Sequence, residues 1–409
     1  MVPESAEEAP LAGVRVVDLT TTFMGPYCTL VLAQMGADVV KVEAPGGDVV
    51  RYVADERGTG MGPVFLNANR GKRSLELDLK RPAGREVLLR LVGTADVVVH
   101  NLRPEAATRL RLRAEDLHAV APRLVHCVVR GFSSAGPYRD KAAYDDVIQA
   151  SSGLAAVQGG PDGPTYVRTP VADKGTALMA VGAITAALYR RERTGRGLAI
   201  EVPMLETMVS FTLLDQQGGY VFDPPRGPAG YARTDSPYRR PYRTADGHVG
   251  VMVYTDAQWR AFFELTGRPE LAEDPRFRTI TARTVHIDEL YRLLEEELGA
   301  RSTADWLAAF DALGIPAMPV LTVPELFDDE HLRAVGTFDR TVHPTEGPLR
   351  HVRFPVDFAG LPGVDLRPAP RLGEHGPEIL AELGYGPEEI AALTVVGSAA
   401  APDVPTGNL

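Results

Sequence analysis

The 409-residue sequence predicts an α/β fold, with a Rossmann-like parallel-sheet large domain and a smaller α+β domain. Three observations carry this. Short β-branched runs alternate with helical patterns through the first half, as they do in a parallel sheet with crossover helices. Residues 216–240 are rich in Gly and Pro, lack a hydrophobic period and read as a linker. The length also exceeds that at which one hydrophobic core usually keeps growing.

In the large domain, 11–215, residues 14–20 form the first strand and Pro26 opens a helix over 25–36. A second strand follows at 39–43. Residues 73–79 alternate apolar and polar side chains as a more exposed strand does, and 83–92 are helical. Residues 97–101 and 124–130 are continuous apolar strands. The longest helix runs from Asp173 to a stop at Gly195 or Gly197, with Leu178, Val181, Ala186 and Leu188 at helical spacing. Asp173 takes its N-cap, where free N–H groups and the positive end of the macrodipole favour an ionised carboxylate. Residues 199–203 return as a strand and 205–214 as a helix.

The small domain, 241–330, starts with a hairpin signal at Ala245-Asp246-Gly247 and a strand over 249–254. Helices follow at 257–265, 287–298 and 303–313, the last with a capped start at Ser302 or Thr303, and a short strand covers 317–321. Residues 331–395 form a C-terminal return segment, extended from about Leu349. The small, polar stretch 396–409 reads as a disordered tail.

Composition narrows the function. A 44% hydrophobic and 24% charged chain is of the soluble globular kind, and a net charge of −11 argues against nucleic acid or an anionic membrane as partner. An anionic small ligand is still allowed where basic residues gather. No apolar run approaches a membrane span. The acidic first residues do not resemble a secretory signal. Cys28 and Cys127 both lie in apolar stretches and read as buried small hydrophobes, and a reducing cytoplasm fits.

Several separate motifs run through the chain. They include Leu11-Ala-Gly-Val-Arg-Val-Val-Asp-Leu-Thr20, Gly25-Pro26, Met35-Gly-Ala-Asp-Val-Val-Lys-Val-Glu43 and Asn69-Arg-Gly-Lys-Arg-Ser-Leu-Glu-Leu-Asp78. Later ones are Ala95-Asp-Val-Val-Val-His-Asn101, Tyr144-Asp-Asp-Val-Ile-Gln-Ala150, Tyr242-Arg-Thr-Ala-Asp-Gly247 and Leu372-Gly-Glu-His375. With the segment Thr169-Pro-Val-Ala-Asp173, these resemble the class III coenzyme A transferases, the family that also contains α-methylacyl-CoA racemase. The resemblance covers about 11–393.

It implies CoA transfer from an acyl-CoA to a free carboxylic acid, with Asp173 as nucleophile and passing through an aspartyl anhydride and an aspartyl-CoA thioester. The thioester is then a substrate, and no tightly bound cofactor or metal is implied. Carried over by position as CoA contacts are Thr22, Phe23 and Met24 after the first strand, then Lys72, Arg73 and Ser74. Asn101, Leu102, Arg109, Lys141 and Tyr144 complete the set. A family arginine is replaced by Ala44, and a family lysine position falls on Ala142 with Lys141 one residue away. No polyglycine loop is present, only scattered Gly218, Gly219, Gly227 and Gly230. The resemblance also implies a homodimer of two interlocked chains.

Three other activities are weighed. The racemase branch needs a histidine where Tyr144 stands, and a neutral phenol is a poor base at pH 7. Tyr144 is therefore read as packing or hydrogen-bonding near the acyl group. A nicotinamide-linked oxidoreductase lacks support, because Thr20-Thr-Thr-Phe-Met-Gly25 stands where Gly-x-Gly-x-x-Gly is needed. A CoA-binding protein without turnover keeps the basic cluster and does not need Asp173. His100 and His126 read as core histidines; nothing in the sequence places His375.

Overall fold

The computed structural model describes residues 8–394 and divides into two units. The first holds the chain before Gly153, Val167–Val209 and the chain from Gly336 on; the second holds Gly153–Tyr166 and Ser210–Val335. Residues 396–409, expected as a disordered tail, lie outside the described residues.

Six parallel strands form the first unit's sheet: β1 (Arg15–Leu19), β2 (Asp38–Glu43), β3 (Lys72–Glu76), β4 (Val97–His100), β5 (Val125–Arg130) and β6 (Leu198–Pro203). Their order is β3-β2-β1-β4-β5-β6, with Val16 opposite Val39 on one side and Val97 on the other. This is the doubly wound arrangement: strand order reverses between β1 and β4, which opens a crevice at their carboxyl ends. Valines build the strands because both faces are covered; Val16, Val17, Val39, Val40, Val97, Val98, Val99, Val125 and Val129 are buried.

The strand expected at 73–79 to be more exposed is instead buried along Lys72–Leu75. Its Lys72 and Arg73 side chains are paired, and the C-terminal segment covers the open edge. The Gly71 N–H donates to the Arg367 carbonyl at 2.9 Å, and the His375 N–H to the Ser74 carbonyl at 3.0 Å. The Ser74 N–H donates to His375 Nδ1 at 3.3 Å, so His375 serves this edge. Before it lies an antiparallel hairpin, Phe338–His343 with Gly347–Val352.

Helix Val171–Thr194 stops at Gly195, whose φ of 69° a side chain would resist. It begins two residues before Asp173, with Pro170 at the N-cap and no capping side chain of its own. The expected cap position of Asp173 is thus corrected to the third helical residue. This helix is long and apolar enough to cross a membrane, contrary to the expectation that no such segment exists. It packs against helix Met24–Gln34 and strands β5 and β6, as a core helix does. Helix Met24–Gln34 places Pro26 third rather than first.

In the second unit, β7 (Tyr242–Arg243), β8 (His248–Val251) and β9 (Ala317–Pro319) pair antiparallel. Helices Asp256–Leu265, Ile287–Leu298 and Thr303–Ala312 enclose an aromatic core in which Trp306 stacks on Phe310 at 5.3 Å. Ser302 caps the last helix by accepting from the Asp305 N–H. Residues 216–240, expected as a linker, are hydrogen-bonded within this unit. The Gly219 N–H donates to the Pro228 carbonyl and the Gly230 N–H to the Gln216 carbonyl, both at 2.8 Å. Gly219 and Gly227 approach so closely that a Cβ on Gly219 would lie 2.5 Å from the Gly227 main chain.

Candidate active site

At the crevice, β1 runs into the turn Thr20–Phe23 and β4 into Asn101. The Asn101 side chain accepts from the Thr21 N–H at 3.2 Å and donates to the Thr21 carbonyl at 3.0 Å, tying the two strand ends together. Thr22 sits at φ 76°, unusual for a β-branched residue. It is held there by the buried Asp48 carboxylate, which accepts its N–H at 3.0 Å. Lys41, also buried, pairs with Asp48 at 3.1 Å and donates to the Thr20 carbonyl at 2.8 Å. A Cβ on Gly25 would fall 2.2 Å from Thr20 Cβ, so only glycine allows this tight entry into the helix. Phe23 is the N-cap and Met24 the first residue of that helix, whose free N–H groups form an anion-favouring end. Thr22, Phe23, Met24 and Asn101 are thus gathered at the crevice, and the Leu102 N–H donates to His100 Nδ1 beside them.

Asp173 lies in the first turn of the second helix of the site. The start of this helix is capped from outside: Asp145 Oδ1 accepts from the N–H groups of Ala172 at 2.8 Å and Asp173 at 3.0 Å. Gln149 holds Asp145 by donating to Oδ2 at 2.5 Å, while its own oxygen accepts from the Val167 N–H at 2.9 Å. Burial, and then the carboxylates of Asp145 and Asp146, push the Asp173 pKa up to about 7. The positive helix end pulls the other way, but the simple expectation of a freely ionised carboxylate is overturned. Lys174 donates to Thr169 Oγ1 at 2.6 Å, and its ammonium stands 6.0 Å from the centre of the Phe23 ring. The start of the Asp173 helix therefore adjoins the turn after β1.

Lys72, Arg73 and Ser74 do not form the expected cationic patch. Lys72 is fully buried and spends its ammonium hydrogens on Asp18 at 3.0 Å, the Pro26 carbonyl at 3.0 Å and Asn69 at 2.8 Å. Arg73 pairs with Asp38, Glu378 and Glu382, and Ser74 donates to Glu43 at 2.8 Å. They lie inside the strand, where side chains serve the core and the covered edge. The open cations come later, beyond the end of β3: Lys80, Arg81 and Arg85 line a cavity of about 260 Å³ with Arg109. Arg85 Nε is buried there without a hydrogen-bond partner. Arg109 is thus in a basic pocket, with companions the sequence reading missed; their signal was the Lys80-Arg81 pair just after a strand.

Lys141 is exposed, its ammonium 3.9 Å from the centre of the Tyr138 ring. Tyr144, expected to pack or hydrogen-bond near the acyl group, is 71% exposed at the extended N-cap of helix Asp145–Ser151. The cysteines and the His100–His126 pair are buried as expected, with the two imidazoles 3.1 Å apart and kept neutral by burial. Asp145, Asp48 and Lys41 are further positioning residues to which the sequence reading gave no role.

The sequence profile of CoA-transferase family III matches residues 11–376. The chain belongs to CoA-transferase family III. As a member of that family it is an enzyme that transfers CoA. The succinate–glutarate CoA-transferase of Agrobacterium fabrum is 36% identical over 390 residues, covering 91% of this chain and 96% of that protein. The formyl-CoA:oxalate CoA-transferase of Streptomyces avermitilis is 35% identical over 403 residues, covering 94% and 98%. Among solved structures, a CAIB/BAIF family protein from Brucella suis matches with a TM-score of 0.77 at 34% identity, over 92% of this chain and 99% of that one.

Proposed function

We propose that this family III CoA-transferase moves CoA between carboxylic acids through covalent chemistry at Asp173. The observation that carries the reading is the placement of Asp173: a half-buried carboxylate with a raised pKa, at a helix start beside the turn that ends β1. Partial desolvation makes a carboxylate a better nucleophile than it is in water, while a pKa near 7 leaves a useful ionised fraction.

The ionised Asp173 attacks the thioester carbonyl, forming a mixed anhydride and expelling CoA as thiolate. That thiolate attacks the aspartyl carbonyl, giving an aspartyl-CoA thioester and the free donor acid. The acceptor carboxylate then attacks the same aspartyl carbonyl, forming a second anhydride and freeing the thiolate again. Attack by the thiolate on the acceptor acyl carbon yields the new acyl-CoA and restores the Asp173 carboxylate. Each step exchanges one acyl bond for another and needs no outside oxidant or metal.

Lys80, Arg81, Arg85 and Arg109 hold the nucleotide phosphates, and the turn Thr22–Met24 with Asn101 and Leu102 receives the remainder of CoA. Exposed Leu178 and Met179 on the Asp173 helix support association with a second copy. Two free, buried cysteines fit a reducing cytoplasm.

The experiment is an exchange assay with succinyl-, glutaryl- and formyl-CoA as donors and succinate, glutarate and oxalate as acceptors. Exchange in the unmodified enzyme and its loss in Asp173→Ala support the reading. Unchanged exchange in Asp173→Ala overturns it.

A further inference from the structure

In the first unit, the C-terminal hairpin and the chain that follows it form a cavity of about 390 Å³, lined by residues 339–341, 351, 353–354, 356–358 and 361–368 with Arg70, Gln34 and Pro10. This volume lies in the range of small-molecule sites. The residues assigned above to CoA or to Asp173 do not line it.

Its polar end is unusual. His351 is 5% exposed, and neither ring nitrogen has a hydrogen-bond partner. Thr341 Oγ1 is likewise buried and unpartnered. Arg70 is 8% exposed and donates to two main-chain carbonyls, those of Asn67 and Val352, with no carboxylate at ion-pair distance among the described residues. Leaving such buried groups without partners is costly, more so for a charged one. A guanidinium, an imidazole N–H and a hydroxyl are the donors that a carboxylate accepts from. Burial, then Arg70, holds His351 down to about 4, so its imidazole is neutral at pH 7 and has one N–H to give.

The other walls are apolar. Phe354, Phe358, Leu361 and Leu366 line them, and Phe358 and Leu361 are more than a third exposed. Around the rim the three arginines Arg340, Arg353 and Arg367 are matched in number by Asp339, Asp357 and Asp365. Arg353 pairs with Asp357 at 3.4 Å, and Arg70 is the one cation in excess among the lining residues.

We infer that this cavity is a binding site for a short-chain aliphatic monocarboxylate, its carboxylate on Arg70, His351 and Thr341 and its tail against Phe354, Phe358, Leu361 and Leu366. The site is separate from Asp173, and its existence does not depend on the transfer mechanism proposed above.

Calorimetric titration of the full-length protein with hexanoate tests it, with hexanol as the uncharged control. Saturable binding of hexanoate is expected, at least about tenfold tighter than hexanol. Thr341→Val and His351→Leu, checked for folding by circular dichroism, should each weaken hexanoate by about tenfold while leaving CoA exchange rates unchanged. Thr341→Val removes only one hydroxyl, so it keeps the test open if His351→Leu fails to fold. Equal hexanoate affinity in the unmodified chain and Thr341→Val overturns the inference. So does the lack of saturable binding to the folded protein, the outcome if a second copy fills the cavity.

Discussion

Asp145 caps the helix that carries Asp173: one carboxylate oxygen accepts from the Asp173 N–H at 3.0 Å and from the Ala172 N–H at 2.8 Å. The same contact that fixes the main chain of Asp173 places a second negative charge near its side chain. Asp145 thus fixes the main chain of Asp173 and, after burial and together with Asp146, raises its basicity.

A pH profile follows from this. In the proposed mechanism only ionised Asp173 attacks, and its pKa is raised to about 7. The kcat/KM for acyl-CoA should therefore climb as pH rises through about 7 and level off above it. Asp146→Asn removes one of the charges that raise this pKa and should move the inflection to lower pH. A profile flat from about pH 5 to about pH 8 contradicts the assignment.

Stability should respond in the opposite sense. The carboxyl goes from an ordinary 3.8 in the unfolded chain to about 7 in the folded one. The unfolded chain therefore loses this proton first, and stability falls as pH rises between those two values. Asp173→Asn, which cannot ionise, should be more stable than the unmodified chain at pH 8 by on the order of 2 kcal/mol, with no such gain near pH 3. The figure is below full pKa arithmetic because the side chain keeps partial contact with water. Denaturant melts of both proteins at the two pH values measure it. No pH-dependent difference between them would contradict the raised pKa.

Binding and folding roles of the basic residues separate by mutation. Arg85→Ala and Arg109→Ala should each raise the KM for acyl-CoA by about tenfold with little change in kcat, and the effect should shrink at high salt. Lys72→Met leaves Asp18 buried without its ion-pair partner and should cost about 3–5 kcal/mol of stability. Steady-state kinetics and denaturant melts distinguish the two outcomes. A raised KM with full stability in Lys72→Met would return that residue to the CoA site.

The strand valines and the helix stop at Gly195 were legible because they follow local period and turn chemistry. So was helix Ile287–Leu298, whose bounds match its pattern. Lys72-Arg73-Ser74 misled because a run of cations looks alike whether it meets solvent or a buried carboxylate; Asp18, its partner, is 54 residues away. The expected N-cap role of Asp173 missed for a similar reason. Asp145, 28 residues earlier, does the capping, and no local spacing shows that. Residues 216–240 looked like a linker because glycines that allow close backbone contact and glycines that give flexibility are the same letter.

The central claim is that Asp173 becomes covalently acylated during turnover. Incubation with an acyl-CoA, quenching with hydroxylamine and peptide mass spectrometry test it most directly. The account predicts a hydroxamate on Asp173 that appears only with acyl-CoA; an unmodified Asp173 peptide from enzyme actively exchanging CoA would contradict it.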